Sequence, residues 1–144
     1  RISRHIGDET FCMTYGDGVS DVPLDKVVDF HKNHKKKATL TAVRPEGRFG
    51  MMDMDGDAIT AFREKNAVDS GWINGGFMVL EPDVFDTIEG DSTIFERGPI
   101  ERLASDGELM AYRHDGFWQC MDTMRDKEKL QELWDSGKAP WKNW

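Results

Sequence analysis

An acidic residue between glycines, just past a short apolar run, is a natural place for an α/β sheet to hold a ligand. Tyr15-Gly16-Asp17-Gly18 has this form and follows the β-rich run Phe11-Cys12-Met13-Thr14. Its glycines would let ligand atoms approach the backbone. An ordinary Gly-Asp turn has the same residues. A second segment is Phe117-Trp118-Gln119-Cys120-Met121-Asp122-Thr123. Read locally, Asp122 caps the helical pattern that follows it. Paired with Asp17 it could instead hold Mg²⁺, an ion bound by one or two carboxylates plus substrate phosphates.

Two further segments could meet an anionic or hydroxylated ligand. In Phe62-Arg63-Glu64-Lys65, alternation places Glu64 and Lys65 on opposite faces while the strand lasts. Past its end both could turn to one ligand, Lys65 as a mobile charge for phosphate and Glu64 as an acceptor from hydroxyls. An exposed charged pair at a strand end reads the same. In Trp72-Ile73-Asn74-Gly75-Gly76-Phe77 the paired glycines interrupt an apolar strand. Such glycines mark either a bulge or the close approach of a ligand, with Asn74 available to hydrogen-bond it.

Other patterns carry less. Asp53-Met54-Asp55-Gly56-Asp57 with Glu64 has calcium-loop carboxylate spacing, but Ala58 occupies the position that needs glycine, and the flanks read as strands. A hairpin turn is expected there. His31 and His34 lack a third metal ligand nearby and read as core edge and helix surface. Lys35-Lys36-Lys37 reads as a solvated helix end.

The elements that must position these groups follow from pattern. Residues 11–15 read as a buried strand, 24–35 as a helix with Leu24, Val27, Val28 and His31 on one face, and 38–43 as the next strand. Strand, helix and strand in that order suggest a crossover and a parallel pair. Segments 51–54 and 58–63 form the hairpin, and 72–80 a further strand. A short helix starts at Pro82. A longer one runs from Asp91 or Ser92 to about Ser105, broken near Gly98-Pro99. Residues 108–113 read as a last strand and 126–136 as a last helix, with Leu130, Leu133 and Trp134 on one face. The class is α/β with a mixed sheet and flanking helices, in a single domain over 1–144.

Composition narrows the partners. The 144 residues carry 27 acidic and 19 basic side chains, a net charge of −8. That argues against nucleic acid and acidic membranes as partners, while a few local cations suffice for a phosphorylated small molecule. No apolar run is long enough to span a membrane, and no secretory leader is evident. Cys12 and Cys120 show no zinc spacing and read as reduced thiols in a cytoplasmic protein.

Taken in order, Tyr-Gly-Asp-Gly, Arg-Phe-Gly, Glu-Lys, Ile-Asn-Gly-Gly-Phe and Phe-Trp-Gln-x-Met-Asp-Thr resemble the sugar-1-phosphate nucleotidylyltransferases, above all those joining CTP to glucose 1-phosphate. The likeness extends from about Phe11 to Trp144. It implies a Rossmann-like nucleotidyltransferase fold and release of pyrophosphate as CDP-glucose forms. It also implies roles: Asp17 and Asp122 as Mg²⁺ carboxylates, and Lys65 as the catalytic cation on the sugar phosphate. Glu64 would meet sugar hydroxyls, Asn74 and Gly75 would line the sugar pocket, Gly50 would approach the sugar by its backbone, and Gly16 would lie beside the ribose. Asn66 and Cys120 stand where that family commonly has proline. The family's Gly-rich nucleotide loop has no counterpart here, so the resemblance is to a C-terminal half lacking the N-terminal nucleotide-binding strands. Such a half should expose a sheet edge and self-associate or pair with a separate N-terminal chain.

Overall fold

The computed structural model describes residues 2–45, 50–55, 58–64 and 71–142, and along 50–64 it describes the backbone. In chain order the elements are α1 (Ser3–Ile6), β1 (Phe11–Thr14), β2 (Gly18–Ser20), α2 (Leu24–His34), β3 (Ala38–Val43), β4 (Gly50–Asp55) and β5 (Ala58–Glu64). Then come β6 (Ile73–Leu80), a 3₁₀ turn (Pro82–Thr87), α3 (Pro99–Ser105), β7 (Leu109–His114), β8 (Trp118–Cys120) and α4 (Met124–Asp135).

The main sheet has the order β1-β6-β3-β7. The expected crossover from β1 through α2 to β3 is present, but the two strands are not neighbours. β6 lies between them, antiparallel to both. The hydrogen-bonded parallel pair is instead β3 with β7, in register from Ala38↔Leu109 to Val43↔His114. Strand alternation cannot reveal this insertion, because β6 joins long after β3 in sequence. One consequence is that β1, β3 and β7 all end, and β6 begins, at one edge of the sheet.

Both faces are covered. On one, Ala38, Met78, Leu80, Val84 and Leu103 form a buried cluster closed by the 3₁₀ turn and α3. Phe11 stacks on Phe85 with centroids 5.3 Å apart. On the other, α2 sets Val27 against Val22 and Val79, with Val28, Phe77 and Tyr112 around them. Leu24, expected on that buried face, is 51% exposed. α2 ends at Lys35 in the left-handed conformation, one residue earlier than the pattern suggested.

α3 is shorter than expected. Gly98 has a φ of 64° and Pro99 has no N–H to give, so the helix starts afresh at Pro99 rather than continuing from residue 92. α4 starts earlier, at Met124, because Thr123 is its cap. Thr123 Oγ1 accepts from Asp126 N–H at 3.2 Å, and the buried Asp126 carboxylate accepts from Thr123 N–H at 3.1 Å. On α4, Leu130 is buried while Trp134 is 44% exposed, with Lys142 Nζ 4.6 Å from its ring centroid.

His31 lies in the core rather than at its edge, at 1% exposure. The tautomers follow from the bonding. Lys36 N–H donates to His34 Nδ1 at 2.9 Å, so the His34 proton sits on Nε2 and is given to Thr39 Oγ1 at 2.7 Å. The Thr39 hydroxyl then donates to His31 Nδ1 at 2.8 Å, and His31 Nε2–H donates to Glu81 Oε1 at 3.0 Å. Burial, and then the neighbouring His31, lower the pKa of His34 below its ordinary 6.5. The unfolded chain therefore binds the proton more readily. Stability from this group is complete above pH 6.5 and is lost as pH falls through the lower folded value. Urea midpoints should drop as pH falls below 6.5 toward that value, and His34→Gln should blunt the drop. An unchanged slope in His34→Gln would show that other groups carry it.

Candidate active site

β2 and β8 bring the two ends of the sequence together. They pair antiparallel with Gly18↔Cys120, Val19↔Gln119 and Ser20↔Trp118. The ladder continues one step, with Met121 N–H donating to Asp17 C=O at 2.7 Å. Asp17 is thus tied by its backbone to the residue before Asp122. Both carboxylates are exposed, and neither has a side-chain partner among the described residues. Because Thr123 takes the cap, Asp122 is not the N-cap that the local reading allowed. Cys120 closes β8, and neither cysteine is in a disulfide.

The bulge of β6 adjoins this ladder. The register with β3 changes from Leu40↔Met78 to Ala42↔Asn74, and Gly75-Gly76 takes up the slack. Both glycines are needed structurally. A Cβ on Gly75 would sit 2.8 Å from Val43 Cγ1 and 3.0 Å from Thr41 O, and Gly76 has a φ of 81°. Trp118 Nε1–H donates to Gly75 C=O at 2.8 Å, which links β8 to the bulge. The Cβ position of Gly18 lies 3.7 Å from that indole nitrogen and 3.9 Å from Gly75 O. The turn of Gly16 and Asp17, the bulge at Asn74 and Gly75, and the strand leading to Asp122 therefore converge.

Asn74 is held on both sides. Its Oδ1 accepts from Gly76 N–H at 2.9 Å, and its Nδ2 donates to Glu96 Oε1 at 3.1 Å. Tyr15 O–H donates to the same Glu96 oxygen at 2.9 Å. Burial, and then Glu96, push the Tyr15 phenol up to about 12, so it stays a donor at any physiological pH. The sequence assigns Glu96 no role, and it marks Trp118 only as part of the Phe117–Thr123 motif, without a role of its own. Glu96 lies in a turn region and Trp118 in a three-residue strand, and neither position shows periodicity that would mark it.

Gly50 and Glu64 belong to the β4–β5 ribbon, where they face each other at one end of the ladder. The hairpin reading of residues 51–63 is upheld there, and the calcium-loop reading fails because both flanks are strands. Lys65 and Asn66 lie outside the described residues.

The donor set at Asp17 and Asp122 fits Mg²⁺. Two hard, solvent-facing carboxylates leave most coordination positions to water and phosphate, as this ion prefers. Among the described residues no group of three or more His, Cys, Asp or Glu side chains could enclose a metal. Nor is any described helix long and apolar enough to cross a membrane.

The family model described as Nucleotidyl transferase matches residues 2–126. The chain belongs to the nucleotidyl transferase family. Relatives include the glucose-1-phosphate cytidylyltransferases of Salmonella typhi and Salmonella typhimurium. Each is 52% identical over 145 aligned positions, covering 100% of this chain and 56% of the relative. The chain thus spans a little over half the length of these curated relatives. HddC from Yersinia pseudotuberculosis shares the fold, with a TM-score of 0.67 at 19% identity over 92% of this chain and 59% of that one. The family's mixed α/β sheet with flanking helices is the architecture seen here.

Proposed function

We propose that this chain carries the sugar-phosphate and metal side of an active site that joins CTP to glucose 1-phosphate, giving CDP-glucose and pyrophosphate. The observation that carries this reading is the β2–β8 ladder, which sets Asp17 beside the Met121-Asp122 step and leaves both carboxylates open to solvent. The names of the Salmonella relatives support the nucleotide and sugar.

The roles are those that the resemblance to the family implies, and the residue types suit them. Asp17 and Asp122 would hold Mg²⁺, which would supply charge neutralisation at the phosphates. Asn74, fixed by Glu96 and Gly76 N–H, and Gly75 line the sugar side. Gly50 and Glu64 are opposite each other in the ribbon; Gly50 would approach the sugar by its own backbone, Glu64 would meet sugar hydroxyls, and Gly16 would lie beside the ribose. Lys65 offsets the repulsion between the sugar phosphate and the α-phosphate it attacks. Such a transfer needs alignment and charge compensation more than a protein nucleophile. The outer edges of β1 and β7 are unpaired among the described residues. An added strand there, from a second copy or a separate N-terminal chain, would complete the sheet.

The test is pyrophosphate release from CTP, glucose 1-phosphate and Mg²⁺ by the purified chain, alone and with a separately expressed N-terminal portion of a relative. Asp17→Asn should lower turnover at least about a hundredfold while leaving the circular dichroism spectrum unchanged. Turnover that survives in Asp17→Asn would remove Asp17 from the site. Glucose 1-phosphate binding with silence in both mixtures would favour a second reading, a sugar-phosphate-binding module without catalysis.

A further inference from the structure

A group of side chains outside the proposed roles lies at the same sheet edge. The parallel strands β3 and β7 end at Val43 and His114, and β6, running the other way, begins at Ile73 opposite Val43. Arg44 follows β3, Arg113 lies near the end of β7 opposite Ala42, and Trp72 precedes β6. The guanidinium carbon of Arg44 is 4.2 Å from the centroid of the Trp72 ring, and that of Arg113 is 5.7 Å from it. Two cations held against one indole cannot be more than about 10 Å apart, within roughly one Debye length at moderate ionic strength. Among the described residues no carboxylate pairs with either to offset their mutual repulsion. Moreover, Arg44 Nε is buried without a hydrogen-bond partner.

An unsatisfied buried N–H costs free energy unless something accepts from it. Stacking on an aromatic face leaves the in-plane N–H groups of a guanidinium directed outward, where they match two oxygens of one anion. In a chain of net charge −8 such an unpaired cationic pair is a local exception. Its place is the edge where α/β sheets bind ligands.

We propose that Arg44, Arg113 and Trp72 form a binding site for an oxyanion of the phosphate class. Arg44 supplies its guanidinium, Arg113 adds a second charge from the exposed side, and Trp72 holds the first guanidinium against its ring. The site lies two residues along the chain from Asn74, so a phosphate held there borders the proposed sugar pocket. It does not depend on Asp17 or Asp122.

Calorimetric titration of the intact chain with inorganic phosphate at low ionic strength tests this. Saturable binding is expected. The double variant Arg44→Gln/Arg113→Gln should weaken it at least about tenfold. Arg113→Lys, at an exposed position, should fall between the two, because lysine keeps the charge and loses the fork. Indole fluorescence should respond to phosphate in the native chain and not in Trp72→Phe. Asp17→Asn should keep the native phosphate affinity even if it abolishes turnover. Competition by glucose 1-phosphate would identify the anion as the substrate's own phosphate, and its absence would identify free phosphate or pyrophosphate. No saturable binding, binding unchanged in folded arginine variants, or binding lost in Asp17→Asn would each overturn the proposal.

Discussion

Replacing Gly76 with alanine is expected to destabilise the fold by about 2–4 kcal/mol. Gly76 has a φ of 81°, a region that costs an L-residue roughly 1–2 kcal/mol. A Cβ there would also lie 2.9 Å from Tyr15 Cδ2, and the ring cannot simply swing away. Its hydroxyl is bonded to Glu96, and its backbone N–H donates to Gly76 C=O at 3.2 Å. Relief of the clash would therefore disturb the Tyr15–Glu96–Asn74 group. A lowered urea midpoint with unchanged m-value is the expected record. Weakened glucose 1-phosphate binding should accompany it if Asn74 lines the sugar pocket. Gly16→Ala is the control, since a Cβ there meets nothing within 4 Å. It should change stability by no more than about 0.5 kcal/mol. Equal effects from both substitutions would mean that the bulge is not held as described.

Leu80→Ala is expected to cost about 2–5 kcal/mol, the range for emptying a buried leucine site. Leu80 is 1% exposed and contributes to the cluster of Ala38, Met78, Val84 and Leu103. It also sits at a register position shared by three strands, facing Phe11 on one side and Ala38 on the other. β-Ladders on both sides hold the backbone, so the site can collapse little around a cavity. Leu80→Met, close in volume, should lose less than about 1.5 kcal/mol. Urea denaturation of both variants checks the pair. A loss below about 1 kcal/mol in Leu80→Ala would show that this face is loosely packed.

The two substitutions act on different parts of one design. Leu80 closes the helix-covered end of β6, while Gly75 and Gly76 break the regularity of its other end. The strand is thus rigid where it is buried and irregular where it meets the candidate site. Trp118 and Glu96 reach that irregular end from distant segments. Their hydrogen bonds give Asn74 and the Gly75 carbonyl defined positions without a ligand. A pocket held in this way loses little side-chain freedom when it binds.

Much was determined by the sequence alone, where the governing rule is local. The amphipathic spacing of Val27 and His31 produces α2. The β-rich segments 51–54 and 58–63 pair as the expected β4–β5 ribbon, and of the two readings open for the paired glycines of β6 the bulge is the one seen. The order of short motifs sufficed to place the chain in its family. What only the tertiary structure decided depends on partners remote in sequence. β2 and β8 are three residues each and have no visible period, because they exist through pairing with one another. β6 enters between β1 and β3 because both of its ladders and both of its faces are satisfied there, which no local pattern encodes. Thr123 displaces Asp122 as the cap because Asp126 completes the reciprocal box, and Asp122 is left open to solvent. Asp17 and Asp122, like Arg44 and Arg113, become neighbours only when these strands meet. Proximity between charges is a property of the assembled sheet, and the free energy that holds them together is supplied by the apolar core beneath.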